Sequence, residues 1–346
     1  VADPAGPAGV TPLGDILARR IAQTGPISLA DYMAECLLHP VHGYYTTREP
    51  FGTAGDFITA PEISQMFGEL LGLCLAQHWL MSGGGPFTLA ELGPGRGTLM
   101  ADILRATRKV PGFHASADVV LVEASPRLRA IQAQRVPEAR HVGSVHDMPD
   151  GPLWLVANEF FDALPIRQFV RDGAAWRERV VGPDLRPGLS APIALPALEA
   201  RLADTADGDV VEICPQAAPI MDAIAARVAV GGMALIVDYG GWQSRGDTFQ
   251  AMADHAYVDP FAAPGQADLT AHVDFAALAR LRPSYTTQGQ LLTALGIAAR
   301  AERLSAGGDD RHVTAMQRLT EPGQMGELFK ALAITAPQAP PPPGFA

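Results

Sequence analysis

The sequence predicts an α/β fold, with a mostly parallel sheet covered by helices on both faces, on three observations. First, residues 87–104 read as strand, glycine turn and helix. The apolar run Phe87, Leu89, Ala90 and Leu92 suits a short buried strand, Gly93-Pro94-Gly95-Arg96-Gly97 breaks it, and Leu99, Ile103 and Leu104 resume at helical spacing. Second, strand-like and helix-like stretches alternate from residue 87 to 238, as in a parallel sheet whose crossovers are helices. Third, the 346 residues, 48% hydrophobic and 18% charged, suffice for a sizeable core in one or two domains.

The glycine turn narrows the ligand. Glycines let a ligand approach backbone that a Cβ would screen, and the following helix start offers free N–H groups. A dinucleotide fingerprint is G-x-G-x-x-G; here it is G-x-G-x-G, with Thr98 in the third glycine's place. Glu91 precedes the turn and would repel a pyrophosphate. It suits an ammonium, which S-adenosylmethionine carries. The next apolar run, Val119 to Val122, ends in Glu123, where such a site places a ribose-binding carboxylate. A turn that only packs a helix on a sheet is the plainer alternative.

Upstream of the turn, residues 13–22 and 29–38 pattern as amphipathic helices, the second capped by Ser28. His39 and His42 lack a third ligand and helical spacing, so no metal site is expected. Gly52, Gly55 and Asp56 form a loop leading to Pro61 and Glu62, which suit the first turn of a helix over 62–81. Downstream, Ser125-Pro126 opens a helix, residues 140–142 form a third strand, and His146-Asp147 sit in a loop. A fourth strand at 153–157 delivers Asn158-Glu159-Phe160-Phe161-Asp162 at its carboxyl end, where open parallel sheets bind ligands. A hairpin is expected over 167–181 with its turn at Asp172-Gly173, then an excursion over 182–208, a strand at 210–213, a helix over 216–230 and a fifth strand at 233–237 closing in Asp238. Residues 241–310 read as loop with short helices at 275–279 and 288–295, followed by a helix within 314–330, a strand at 332–334 and a proline-rich tail over 336–346 that is floppy or polyproline.

The net charge of −11 argues against nucleic acid and suits a basic partner. Cys36, Cys74 and Cys214 are too few and scattered for a disulfide framework or a zinc site and read as reduced core thiols. No apolar run approaches the roughly 18 residues of a membrane helix, and residues 1–12 lack the features of a secretory signal.

Seven stretches carry a family likeness: HPVHGYY from His39, GDFITAPEISQMFGE from Gly55, ELGPGRGT from Glu91, NEFFDALP from Asn158, VDYG from Val237, DLTAHVD from Asp268 and MGELFK from Met325. Together the chain resembles the class I S-adenosylmethionine-dependent methyltransferases, and more narrowly the family of the mitochondrial complex I assembly methyltransferase and its bacterial relatives. The likeness covers about residues 12–335 and departs near 278–287, where the segment is shorter than the family pattern. It implies a Rossmann-like methyltransferase sheet of seven mostly parallel strands, in a core over 62–335 with an N-terminal helical extension over 1–61 and insertions at about 166–208 and 241–310. It implies S-adenosyl-L-methionine as cofactor and methylation of a protein arginine, the target in the mitochondrial relative being a complex I subunit. The location implied is bacterial cytoplasm or mitochondrial matrix; a homodimer is left open.

The donor candidates are Gly55, Asp56, Thr59, Pro61, Glu62 and Ser64 over the methionine end, as the resemblance implies. Glu91, Gly93, Gly95 and Gly97 are the candidates at the turn, Glu123 at the ribose, Asp147 at the adenine amino group, and Asn158 at the fourth strand end. Glu159 and Asp162 are the catalytic candidates. Methyl transfer is an in-line displacement that asks mainly for positioning, and paired carboxylates hold a guanidinium by bidentate hydrogen bonds. The same pair would serve equally as helix cap and first-turn acid. Asp238 is a further acid on the same rim. Rival readings are an assembly chaperone that binds the donor with little catalysis, and a nicotinamide-dependent oxidoreductase.

Overall fold

The computed structural model describes residues 11–47, 59–306 and 308–345. At its centre lies β1 (Phe87–Leu92), buried along its whole length. Its side chains alternate between two cores: Leu89 meets the helices on one face, while Ala90 and Leu92 join the cluster on the other. Burial on both faces is why these strands read as apolar runs.

Beside β1 lie β2 (Ala117–Val122) and then β3 (Arg140–Val142). On its other side come β4 (Leu153–Asn158), β8 (Gly232–Gly241), β13 (Phe329–Thr335) and β12 (Arg282–Thr287). β1 to β4 and β8 are parallel, and β13 runs antiparallel between β8 and β12. Among the described residues this path has seven strands, and the two-residue strand Val273–Asp274 beside β8 makes the sheet eight-stranded. Helices α3 (Gln65–Met81) and α4 (Thr98–Thr107) cover one face. They pack so closely that a Cβ on Gly72 would stand 2.9 Å from the Ile103 Cα. α6 (Ala217–Val230) covers the other face, and α5 (Pro126–Arg135) follows β2, capped by Ser125.

A second, antiparallel sheet is built from β5 (Arg167–Asp172), β6 (Ala175–Val181) and β7 (Val210–Ile213), edged by Ile27–Ser28 and Pro187–Leu189. Gly173, at φ +62°, opens the two-residue turn of the expected hairpin. Helices α1 (Pro12–Thr24) and α2 (Leu29–Leu38) bury Leu17, Tyr32 and Met33 against Val181 and against Leu269 of a third, three-stranded sheet. That sheet consists of β9 (Gln250–Ala253), β10 (Ala256–Val258) and β11 (Asp268–Thr270).

Four expectations need correction. The helix expected over 62–81 is a single turn, Ala60–Ile63, followed by α3, because Ser64 is extended (φ −160°) and its hydroxyl accepts the Met66 N–H at 3.2 Å. A cap inside an uninterrupted apolar pattern left no visible break. Residues 241–310 contain β9 to β12 as well as helices; these strands are too short to show a period. The last helix is only Arg311–Thr320, ending ahead of Pro322. The proline-rich tail is packed rather than floppy. Trp154 Nε1–H donates to His78 Nδ1 (3.1 Å), leaving His78 Nε2–H to donate to the Pro340 carbonyl (3.3 Å), and Phe345 joins the main core. Polyproline backbone exposes carbonyls that such donors can use.

No helix among the described residues is long and apolar enough to cross a membrane. His39 turns its ring nitrogen Nδ1 to the backbone N–H groups of Val41 (3.2 Å) and His42 (3.1 Å), so it caps the turn that follows α2.

Candidate functional site

From β1 the chain moves outward through β2 and β3, then returns to β4 and continues the opposite way to β8. Crossovers leave β1 and β4 in opposite directions, so the carboxyl ends of these two neighbours stay open. A cavity of about 670 Å³ occupies that place.

One half of the cavity wall is the glycine turn. Gly93, Gly95 and Gly97 have φ of +57°, +51° and +79°, which explains three glycines in five residues. A Cβ on Gly93 would also sit 2.9 Å from the Phe160 ring. Gln132 ties turn and acid together: its amide donates to the Gly95 carbonyl (2.7 Å) and to Glu123 Oε2 (3.2 Å). The Ser125 N–H donates to Glu123 Oε1 at 2.7 Å. Burial pushes the Glu123 pKa up, against these hydrogen bonds. The result is a carboxylate fixed at the β2 end, with acceptor capacity left for a pair of ribose hydroxyls.

The other half is the loop after β4. Glu159 has φ +51°, uncommon for a non-glycine residue and a mark of a constrained site. Asp238, fully buried, clamps this loop. Its Oδ2 accepts the N–H groups of Phe160 (3.2 Å), Phe161 (3.0 Å) and Asp162 (3.3 Å), and its Oδ1 that of Tyr239 (2.9 Å). Burial and the charges of Asp162 and Glu159 push the Asp238 pKa upward against these donors. Asp238 is thus a positioning residue away from the cavity lining, not a contact for substrate.

Glu159 Oε1 accepts from Asn158 Nδ2 (3.0 Å) and the Ala60 N–H (3.3 Å). Burial, then Asp162, pushes its pKa up to about 8. Asp162 is raised to about 6 by burial, opposed by the Tyr239 hydroxyl. Its Oδ1, and the Asn158 Oδ1, have no hydrogen-bond partner among the described residues. Asp268, buried and lining the same cavity, accepts the Tyr45 O–H at 2.8 Å.

Of the predicted residues, Thr59, Pro61, Glu62, Gly93, Gly95, Glu123, Asn158, Glu159 and Asp162 line this one cavity. Glu62 also accepts the Thr98 hydroxyl (2.6 Å), fixing the start of α4. Gly97 lies behind the wall as the N-cap of α4. Ser64 caps α3 instead of facing the cavity. Glu91 is beneath the turn: strand alternation sends it to the α4 face, where the Met100 N–H reaches it and burial pushes its pKa up to about 8. It does not line the cavity. Asp147 is exposed in the short turn Val145–Asp147, and Gly143, Ser144 and Val145 form the wall in its place. Gly55 and Asp56 lie outside the described residues. Asp268, Tyr45 and Tyr239 line the cavity without having been candidates. Their only trace in the sequence was the DLTAHVD, HPVHGYY and VDYG stretches.

Residues 70–289 match the profile of an S-adenosyl-L-methionine-dependent methyltransferase family. The chain belongs to this family. It is 38% identical to the human protein arginine methyltransferase NDUFAF7, mitochondrial, over 94% of this chain and 83% of that one. The Drosophila melanogaster homologue of the same name is 34% identical over 92% and 83%. A Burkholderia thailandensis protein crystallised with S-adenosyl-homocysteine superposes with a TM-score of 0.84 at 29% identity, covering 96% of this chain and 94% of that one. Membership makes the activity S-adenosylmethionine-dependent methyl transfer. It favours neither the oxidoreductase nor the assembly chaperone that binds the donor with little catalysis.

The residues fit the donor. The cradled Glu123, the open turn at Gly93 to Arg96 and the unpaired Asn158 Oδ1 give acceptors and approachable backbone along one wall.

Proposed function

We propose that this methyltransferase modifies an arginine side chain of a protein, with Glu159 and Asp162 holding the guanidinium. The observation that carries the reading is the acidic floor: Glu159 and Asp162 of one loop meet Asp268 from a distant segment on the cavity lining, and Asp162 Oδ1 is buried with no hydrogen-bond partner among the described residues. A guanidinium supplies the planar fork of donors and the charge that such a floor lacks.

The bound donor supplies an activated methyl group on a sulfonium. The chain's residues do the rest by placement. Glu123 and the turn hold the adenosine part. Glu159, fixed by Asn158 and the Ala60 N–H, and Asp162, fixed by the Asp238 clamp, align one guanidinium nitrogen with the methyl carbon. The C–N bond forms as the C–S bond breaks and sulfur keeps the electron pair. The nitrogen's proton passes to one of the two carboxylates, whose raised pKa values suit them to receive it. The resemblance implies a respiratory complex I subunit as the acceptor protein. Labelled-methyl transfer to peptides with one central arginine or one central lysine, followed by hydrolysis and amino-acid analysis, tests the reading. Methylarginine is expected; label in lysine alone would overturn it.

A further inference from the structure

The arginine reading leaves open what surrounds the arginine, and the outer wall of the cavity speaks to that. In the third sheet, Met252 is the direct cross-strand partner of both Tyr257 and Asp268. Opposed residues of antiparallel strands project from the same face. The row Tyr257–Met252–Asp268 therefore runs from solvent to the acidic floor along one wall, and all three line the cavity. The next row holds Gln250 and Thr270, joined at 3.3 Å. The hairpin carrying Tyr257 turns at Asp254-His255, both at positive φ (49° and 62°), which imposes the tight twist of a two-residue turn.

Two further apolar side chains share the rim. Leu38, at the end of α2, is 51% exposed, and Leu328, just before β13, is 47% exposed; Tyr257 is 70% exposed. Large apolar side chains at a cavity mouth mark an interaction surface more often than isolated surface leucines do. Among the described residues, no exposed residue lining the cavity is charged: the others are Ala124, Pro126, Gly143 and Gln216. The acids that line the cavity are buried or half-buried: Glu159, Asp162 and Asp268 on the floor, Glu123 in the donor half and Glu62 at the start of α4. Charge at the floor matches a single guanidinium, and the exposed part of the rim among the described residues carries no charge for further cations.

We propose that Tyr257, Met252, Leu38 and Leu328 form an acceptor-selecting wall, and that the substrate is a protein segment presenting one arginine between apolar side chains rather than an arginine- and lysine-rich tail. This rests on the arginine reading above. The arginine enters between the row and the β4 loop, and its apolar neighbours cover the rim.

The test uses the intact enzyme and synthetic peptides with one central arginine, flanked by leucine and phenylalanine, by glycine and serine, or by lysine. Labelled-methyl incorporation gives kcat/KM for each, and S-adenosylhomocysteine affinity is measured in parallel. The apolar-flanked peptide is expected to lead by about 10-fold or more, the scale of discrimination by an apolar pocket. Tyr257→Ser should erase most of that lead with donor affinity unchanged, Tyr257→Phe should retain it, and Leu80→Ser, on the exposed side of α3, should change nothing. Equal use of all three peptides, or a preference for lysine flanks, would overturn the wall while leaving arginine as the acceptor. Loss of S-adenosylhomocysteine affinity in Tyr257→Ser would assign the wall to the donor and also overturn it. Labelling of the lysines in the third peptide, with no label in arginine of any peptide, would overturn the arginine reading itself.

Discussion

The donor half and the acceptor half of the cavity are assembled in contrasting ways. The donor half comes from nearby sequence: the turn at 93–97, Glu123 and Gln132 are joined within 37 residues by the Gln132–Gly95 hydrogen bond. The acceptor half gathers Tyr45, Glu159, Asp162, Tyr239 and Asp268; the Tyr45–Asp268 hydrogen bond alone spans 223 residues. Their electrostatics also differ. Both Glu123 oxygens are hydrogen-bonded, whereas Asp162 keeps an oxygen with no partner among the described residues and shares a buried floor with other carboxylates. A half built for a neutral sugar can be satisfied in advance. A half built for a cation keeps acceptor capacity and charge in reserve until the cation arrives.

The largest effect should come from closing the donor half. Gly95→Val places a branched side chain at φ +51° on the cavity wall. S-adenosylhomocysteine binding by calorimetry should disappear while circular dichroism stays native. Unchanged affinity would separate the turn from the donor.

Next comes the clamp under the acceptor half. Asp238→Ala strands four N–H groups, two of them buried and two half-buried, so urea unfolding should show a loss of at least about 3 kcal/mol. Methyl transfer should fall with it. A loss below about 1 kcal/mol would mean the loop finds other partners. A smaller effect is expected at the ribose: Glu123→Ala should weaken donor binding by about 1.5–3 kcal/mol, as for hydrogen bonds to a charged group. An effect of only a few tenths would remove Glu123 from the donor half.

The mildest test is pH. Burial raises Glu159 to about 8 and Asp162 to about 6, above their ordinary values of 4.5 and 3.8. The folded protein therefore holds these protons more tightly than the unfolded chain. Their contribution favours the fold below the ordinary values and is lost as pH rises through the raised ones. Without substrate, the thermal midpoint should fall between pH about 4.5 and about 8, and less steeply in Glu159→Gln. Affinity for an arginine peptide should rise over the same window, because ionised carboxylates attract the cation. A flat affinity profile would separate these acids from the acceptor.

The same contrast governs what was legible in the sequence. β1, the turn, Glu123 and the Asn158 to Asp162 loop follow from local patterns of apolar runs, glycines and strand-end acids. Asp268 and Tyr45 did not stand out, because an aspartate in a loop-like stretch and a tyrosine after α2 carry no local sign of meeting. Glu91 and Asp147 were placed in the site by position along the chain. The pleat turned Glu91 beneath α4, and the short turn after β3 left Asp147 in solvent. The tail's packing depended on His78 and Cys74 of α3, 262 and 269 residues away from their partners.

The measurement that bears most directly on a separate, charged acceptor half is Glu159→Gln, with S-adenosylhomocysteine affinity and kcat for an arginine peptide taken on the same preparation. The substitution keeps shape and removes charge. Donor affinity should stay within about twofold while kcat falls about 10²-fold or more, because positioning is the main catalytic device here. Equal turnover by both proteins, or a kcat loss matched by a loss of donor affinity, would contradict the division of the cavity into two halves.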